Sequence, residues 1–227
     1  MRLLKSVTPI RLLVKSAGLL RDRRATVIIE MAACIPFFAV LGFGGLELAN
    51  LALAHTHVSQ LALNTADNAS RMASGTSLTV PTVSEADIQE VFIGAEKQSG
   101  RLDFKRHGRI ILSSLERNAN GGQWLHWQRC FGDLSVASTF GAEGDGAVGK
   151  PTIAGMGPQG RQIAAPPGSA IMFVEIVYDY QPLVFGVWLG PRRIHMTAAF
   201  NIRENRNLTN GVSPSSGVAT ATCPVPA

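Results

Sequence analysis

From Ala25 to Ala54 the chain reads ATVIIEMAACIPFFAVLGFGGLELANLALA, and its only charges are Glu30 and Glu47. A helix that crosses a bilayer needs about 20 mostly apolar residues at a rise of about 1.5 Å each. This run is long enough if one glutamate sits near an interface or is paired. Arg21, Arg23 and Arg24 abut its N-terminal end, and Lys and Arg are then absent from Ala25 through Ser70. By the positive-inside rule the N-terminus stays in the cytoplasm and the C-terminal body is exported. Two alternatives compete. One is the buried core helix of a soluble protein. The other is a secretory signal peptide cut after Ala54, for which Ala52-Leu53-Ala54 fits the cleavage pattern. The long basic leader, the two glutamates and Pro36 near the middle of the run count against a signal peptide.

Composition bears on the choice through charge. The net charge is +5, but residues 1–24 hold seven Lys or Arg against one acid, and the remainder holds 14 bases and 15 acids. The basic excess is a leader and not a folded surface, so nucleic acid is excluded as a partner. With 46% hydrophobic and 16% charged residues, the chain is too apolar for disorder throughout, and three cysteines are too few for a disulfide scaffold.

The apolar pattern continues past the run. Leu51, Ala54, Val58, Leu61, Thr65, Asn68 and Met72 recur at three- and four-residue steps, apolar at first and then more polar. No Gly or Pro interrupts Leu46 to Ser74, and Gly75 reads as a stop. The spacing predicts one helix over 26–74, about 45 residues and roughly 65–70 Å long. Its membrane half covers about 27–54 and the rest projects. Glu30 lies just inside the basic boundary. It is either at interface depth beside Arg23 or Arg24, or an intramembrane charge with a role.

Beyond the helix, 75–83 reads as a linker. Ser84 and Asp87 form a capping-box-like pair that opens a helix running to about Gln98 and ending at Gly100. Arg109 to Leu115 and Gln123 to Phe131 read as a hairpin around a turn at Asn118 to Gly122. Thr139 to Gly168 is Gly/Pro-rich and irregular. Ala170 to Tyr180 and Ile194 to Ile202 read as a second hairpin. From Glu204 the tail is expected to be mobile apart from one fixed point, Cys223. The fold class is α+β: a long N-terminal helix followed by an antiparallel-sheet domain with helices on one face, over 75–227.

In an oxidising compartment Cys130 and Cys223 are the sensible pair, with Cys34 a small buried packing residue in the apolar helix. Two unpaired thiols are the alternative. No catalytic constellation, metal site or cofactor site stands out. Gly144 to Lys150 matches a P-loop spacing, but Pro151 replaces the required hydroxyl. His55 and His57 point about 200° apart on a helix and cannot chelate one metal. His126 lies between Trp124 and Trp127 with no evident base-orienting partner. Trp124, Trp127 and Trp188 are read as packing residues.

The junction Arg23-Arg24-Ala25-Thr26-Val27-Ile28-Ile29-Glu30-Met31, with Pro36 and Gly44-Gly45-Leu46-Glu47-Leu48, resembles the TadE/TadG-like proteins of tight-adherence (Flp-type) pilus systems. The likeness covers Arg23 to about Met72 and thins beyond, where Pro166, Gly168, the strand Glu175 to Tyr180 and Pro182 also look similar. The resemblance implies a minor pilin or pseudopilin-like structural component, not an enzyme. It implies a single-pass protein of a bacterial inner membrane, with its body in the periplasm and possible incorporation into an extracellular pilus. Implied partners are other pilin subunits, the assembly machinery, the lipid bilayer and a prepilin peptidase. That peptidase would cut between Ala25 and Thr26. The new Thr26 amine would then meet a neighbouring subunit's Glu30. The family usually has Gly where this chain has Ala25, so an uncleaved anchor is the other expectation. Assembly would use helix packing through Ala32, Ala33, Gly42, Gly44 and Gly45. The functional alternative is an exported soluble binding or adhesin domain released after Ala54.

Overall fold

One uninterrupted helix, α1 (Arg24–Arg71), opens the part of the chain covered by the computed structural model, which describes residues 24–73, 75, 80–184, 186 and 190–224. Its 48 residues continue through Pro36 and end three positions short of the expected 74. The chain forms two compact units, Met1–Leu48 and Ala49–Ala227. In the first, the described residues are all helical, and their large side chains face outward: Ile28 is 71% exposed and Phe38 66%. The helix is long and apolar enough to span a membrane, with an 18-residue window of mean hydropathy 2.1.

The second unit takes in the end of α1. It continues with β1 (Val83–Ser84), α2 (Glu85–Ser99), a 3₁₀ turn (Gly100–Leu102), α3 (Phe104–His107), β2 (Gly108–Arg117) and β3 (Gln123–Phe131). Then come β4 (Ile171–Tyr180), β5 (Arg192–Asn201) and β6 (Val212–Ser213). The main sheet has order β3-β2-β4-β5 and is antiparallel throughout. Both expected hairpins are present, and β2 joins them by pairing with β4, Ile110 opposite Ile176. The architecture is α+β, as the pattern predicts.

Period-two alternation gives β4 two different faces. Met172, Val174, Ile176 and Tyr178 are buried in one cluster with Val58, Leu61, Ala62, Ala66 and Ala69 of α1 and with Ile88, Val91 and Phe92 of α2. Small alanines let α1 lie close to the sheet. The observed stripe departs from the expected one at its far end: Asn68 is exposed and Ala69 takes the buried position. The opposite face carries Ile171 and Phe173, which cluster with Leu115, Leu125, Met156 and Ala165. The covering there is the irregular segment 132–170. Each large apolar side chain so buried contributes roughly 1.5–3 kcal/mol relative to exposure.

Local chemistry fixes the elements. Ser84 caps α2: its side chain accepts from the Asp87 amide at 3.3 Å, and its own amide donates to Asp87 Oδ2 at 2.8 Å. Glu85 is buried and accepts from Arg129 Nη2 at 2.7 Å and Nε at 2.8 Å, pinning the start of α2 to β3. The β2–β3 turn closes on Asn118, whose Oδ1 accepts from the amides of Asn120 and Gly122. Gly146 has a φ of +75° and lies against the start of β3, where a Cβ would collide with the Gln123 carbonyl oxygen. The glycines of the P-loop-like stretch are thus turn and contact residues.

The tail is held at more points than the single one expected. Cys130 and Cys223 form a disulfide with Cα atoms 5.0 Å apart and a sequence separation of 93. The Cys130 amide also donates to Ala221 O at 2.8 Å. Val212 and Ser213 pair in parallel with Val83 and Ser84, so the expected linker ends in a strand. The Ser215 hydroxyl accepts from the Ala86 amide at 3.2 Å. Converting Cys130 and Cys223 together to Ser should cost roughly 2–4 kcal/mol, read as a lower urea midpoint for the full chain in detergent. An unchanged midpoint would show that the other tail anchors suffice.

Candidate functional site

The first unit carries the residues expected to serve assembly. Ala25 and Thr26 lie in α1, beside the boundary of the described residues. Glu30, one turn on from Thr26, is exposed, and among the described residues it has no hydrogen-bond or ion-pair partner. The suggested contact with Arg23 or the Arg24 side chain lies outside the described residues. Glu47 is buried. Gly42 and Gly45 are exposed and Gly44 is half-buried, and apart from neighbouring residues and the helix's own backbone no described atom lies within 4 Å of where a Cβ would stand at any of them. Three glycines in a helix interior cost roughly 0.5–1 kcal/mol each relative to alanine. No contact among the described residues requires them. Gly42 and Gly45, three apart, share a face, whereas Gly44 lies about 200° round from Gly42.

Cys34 needs a correction. It is a free thiol and is exposed, not buried. The expectation rested on its apolar neighbours, which in a single chain are themselves uncovered.

A second correction concerns His126, which does have an orienting partner. The β2–β3 register shifts between Ser114 and Leu115, so Ser114 faces Trp127 and Leu115 faces Leu125. His126 is the extra residue of this bulge, which re-aims its side chain. Its Nδ1 lies 2.8 Å from Glu116 Oε2, and the Ser114 hydroxyl donates to Glu116 Oε1 at 2.7 Å. The Trp124 ring stacks on the imidazole with centroids 4.2 Å apart. A cavity of about 650 Å³ adjoins this corner, lined by Glu116, Trp124, Val148, Leu208 and Thr209. Arg206 is buried nearby and donates to Met72 O at 2.9 Å. Burial pushes its pKa down to about 10, against the opposing pull of Glu116. The arrangement suits cohesion better than acyl transfer. Ser114 donates to the carboxylate and not to the imidazole.

A parallel cluster holds the irregular segment on the opposite face of the sheet. Glu175 is 1% exposed. It accepts from Ser138 Oγ at 2.7 Å and the Thr139 amide at 3.1 Å, and His195 Nε2 lies 2.8 Å away. Phe140 packs edge-on to Phe173 and over His195. Trp127 is buried, Trp124 half-buried, and Trp188 lies outside the described residues. Among the described residues no group of three or more His, Cys, Asp or Glu is placed to hold a metal ion.

With known proteins the chain shares no detected likeness: no protein-family model, no curated protein and no solved structure matches it.

Sequence reasoning missed Glu116, Glu175, His195 and Arg206 as organising residues. The available signal was an acid inside each apolar strand, since a carboxylate buried there needs donors. Replacing Glu175 with Ala should cost about 2–4 kcal/mol and speed hydrogen exchange at the Thr139 amide, because three donors lose their acceptor. Exchange at wild-type rate would mean that Glu175 does not hold the segment.

Proposed function

We propose that this chain is a membrane-anchored structural subunit, a minor pilin or pseudopilin-like component of a bacterial tight-adherence pilus system. It acts by helix-to-helix assembly and not by catalysis. The observation that carries the reading is the first half of α1, apolar and outward-facing, with glycines at 42, 44 and 45 that no contact among the described residues calls for. Close approach of another helix backbone would supply the missing reason. The resemblance at the junction Arg23 to Met31 gives the reading its specific form.

In this reading the basic leader keeps the N-terminus in the cytoplasm and the domain over 75–227 lies in the periplasm. The disulfide suits that oxidising compartment. Cleavage between Ala25 and Thr26 would place a new amine one turn from Glu30. In a low-dielectric bundle, that amine on one subunit and Glu30 on the next would offset each other's burial and set the axial register.

The alternative, a soluble domain released after Ala54, fits less well. That cut would remove Asn50, whose Nδ2 donates to Tyr180 OH, and Leu51 and Ala54, which pack on the core. It would also expose the helix side of the sheet at that end.

N-terminal sequencing of the mature protein separates the readings: Thr26 fits a processed pilin, Met1 an uncleaved anchor, His55 the released domain. Glu30→Ala should leave membrane insertion intact and lower incorporation into filaments by tenfold or more, on the order of 1.4 kcal/mol per contact. Normal incorporation of that variant would remove Glu30 from the mechanism.

A further inference from the structure

The end of the second unit where the chain enters it is built unlike the rest of its surface. Tyr180, the last residue of β4, receives the Asn50 side chain at 2.6 Å, so this corner lies beside the first turn of helix in the unit. A cavity of about 600 Å³ opens there between α1, the Gly100–Leu102 turn and the end of β4. Its lining combines two chemistries. Leu53, 67% exposed, Pro182 and Leu183, 70% exposed, are apolar. Arg101, His57 and His107 carry basic groups, and Asp103 is the one acid in the lining.

That acid is already engaged. Asp103 lies 3.5 Å from Arg106 Nη1 and 3.8 Å from His107 Nε2. Arg101 in the lining and Lys105 on the next turn are exposed, and neither has an ion-pair partner among the described residues. Gly100 (φ +56°) and Asp103 (φ +43°) flank Arg101 with positive φ, Asp103 in the left-handed region, and Asp103 is the only non-glycine with positive φ among the described residues. The uncompensated charge is therefore positive and shares the lining with apolar residues.

We infer that this cavity binds the headgroup of an anionic phospholipid of the membrane that α1 enters. Arg101 in the lining would meet the phosphate, Lys105, outside the lining, would add to the positive field, and Leu53 and Leu183 would meet the glycerol and upper acyl chain. The inference rests on the membrane reading of α1. If about 20 residues from Thr26 fill the hydrocarbon core, Asn50 and Leu53 fall at headgroup depth. The mixed lining decides between sources of phosphate. A free phosphate needs only the cations, whereas a phospholipid uses both chemistries. Guanidinium and ammonium groups near an anionic bilayer each add to binding and are screened by salt.

The test uses the full chain in neutral detergent. It is titrated with dioctanoyl phosphatidylglycerol and dioctanoyl phosphatidylcholine, and retained lipid is counted by native mass spectrometry. Phosphatidylglycerol should bind at least about tenfold tighter, and a chain carrying Arg101→Glu and Lys105→Glu should lose that preference. Both positions are exposed, and an unchanged urea midpoint checks that the variant is folded. Glycerol phosphate at the same concentration should not displace the lipid. Equal binding of the two lipids, a preference retained by the variant, or displacement by glycerol phosphate would overturn the assignment. Resistance of the chain to alkaline carbonate extraction from phosphatidylcholine vesicles is measured alongside. Extraction would defeat the membrane reading itself, whereas an integrated chain with no lipid preference would defeat the headgroup site alone.

Discussion

Strand β4 has to be covered twice. Nine of its ten residues are buried, and alternation sends them to opposite sides of the sheet. The helix side is filled by the second part of α1 and by α2, and alanines at 62, 66 and 69 let α1 approach closely. The other side has no helix. It is filled by an irregular segment that lacks a continuous backbone ladder and is held through side chains instead: Glu175 to Ser138 and Thr139, Gln123 to Ala165, Arg129 to Glu143. Glu175, Gln123 and Arg129 are buried, and these links give their polar groups partners that the covering segment's lack of a ladder would otherwise deny them.

The first unit has the opposite problem. Its helix satisfies its own backbone, but its apolar side chains have nothing from the chain to lie against. Leaving large side chains such as Phe37 and Phe38 in water forgoes roughly 1.5–3 kcal/mol each. A bilayer or a set of like helices would recover that energy. The two units therefore solve burial differently, one by folding and one by its surroundings.

The sequence made the regular elements legible where periodicity was long or capping chemistry local. The 48-residue helix, the Ser84–Asp87 box, the Asn118 turn and all four strands of the main sheet follow from patterns within a few residues. What stayed hidden depends on register. A plain hairpin about Asn118–Gly122 places Glu116 opposite Trp124, as observed, but only the bulge brings His126 to the same carboxylate. The β1–β6 pairing joins two-residue strands over a hundred positions apart, too short to leave a periodic trace. The Cys130–Cys223 pairing was legible by elimination. The exposure of Cys34 was not, because apolar neighbours in sequence do not say whether the chain itself or its surroundings provide the cover.

The disulfide also divides the chain mechanically. It closes a ring over 93 positions that contains β4, β5 and the irregular segment, and α1 lies outside it. A load drawn through the chain from α1 to the residues beyond Cys223 would pass from Cys130 across the sulfur bridge. The ring would be spared, and with it roughly 300 Å of extensible backbone at about 3.3–3.6 Å per residue. Under tension such a subunit lengthens as if it were a much shorter protein, and β4 and β5 carry none of the covalent load.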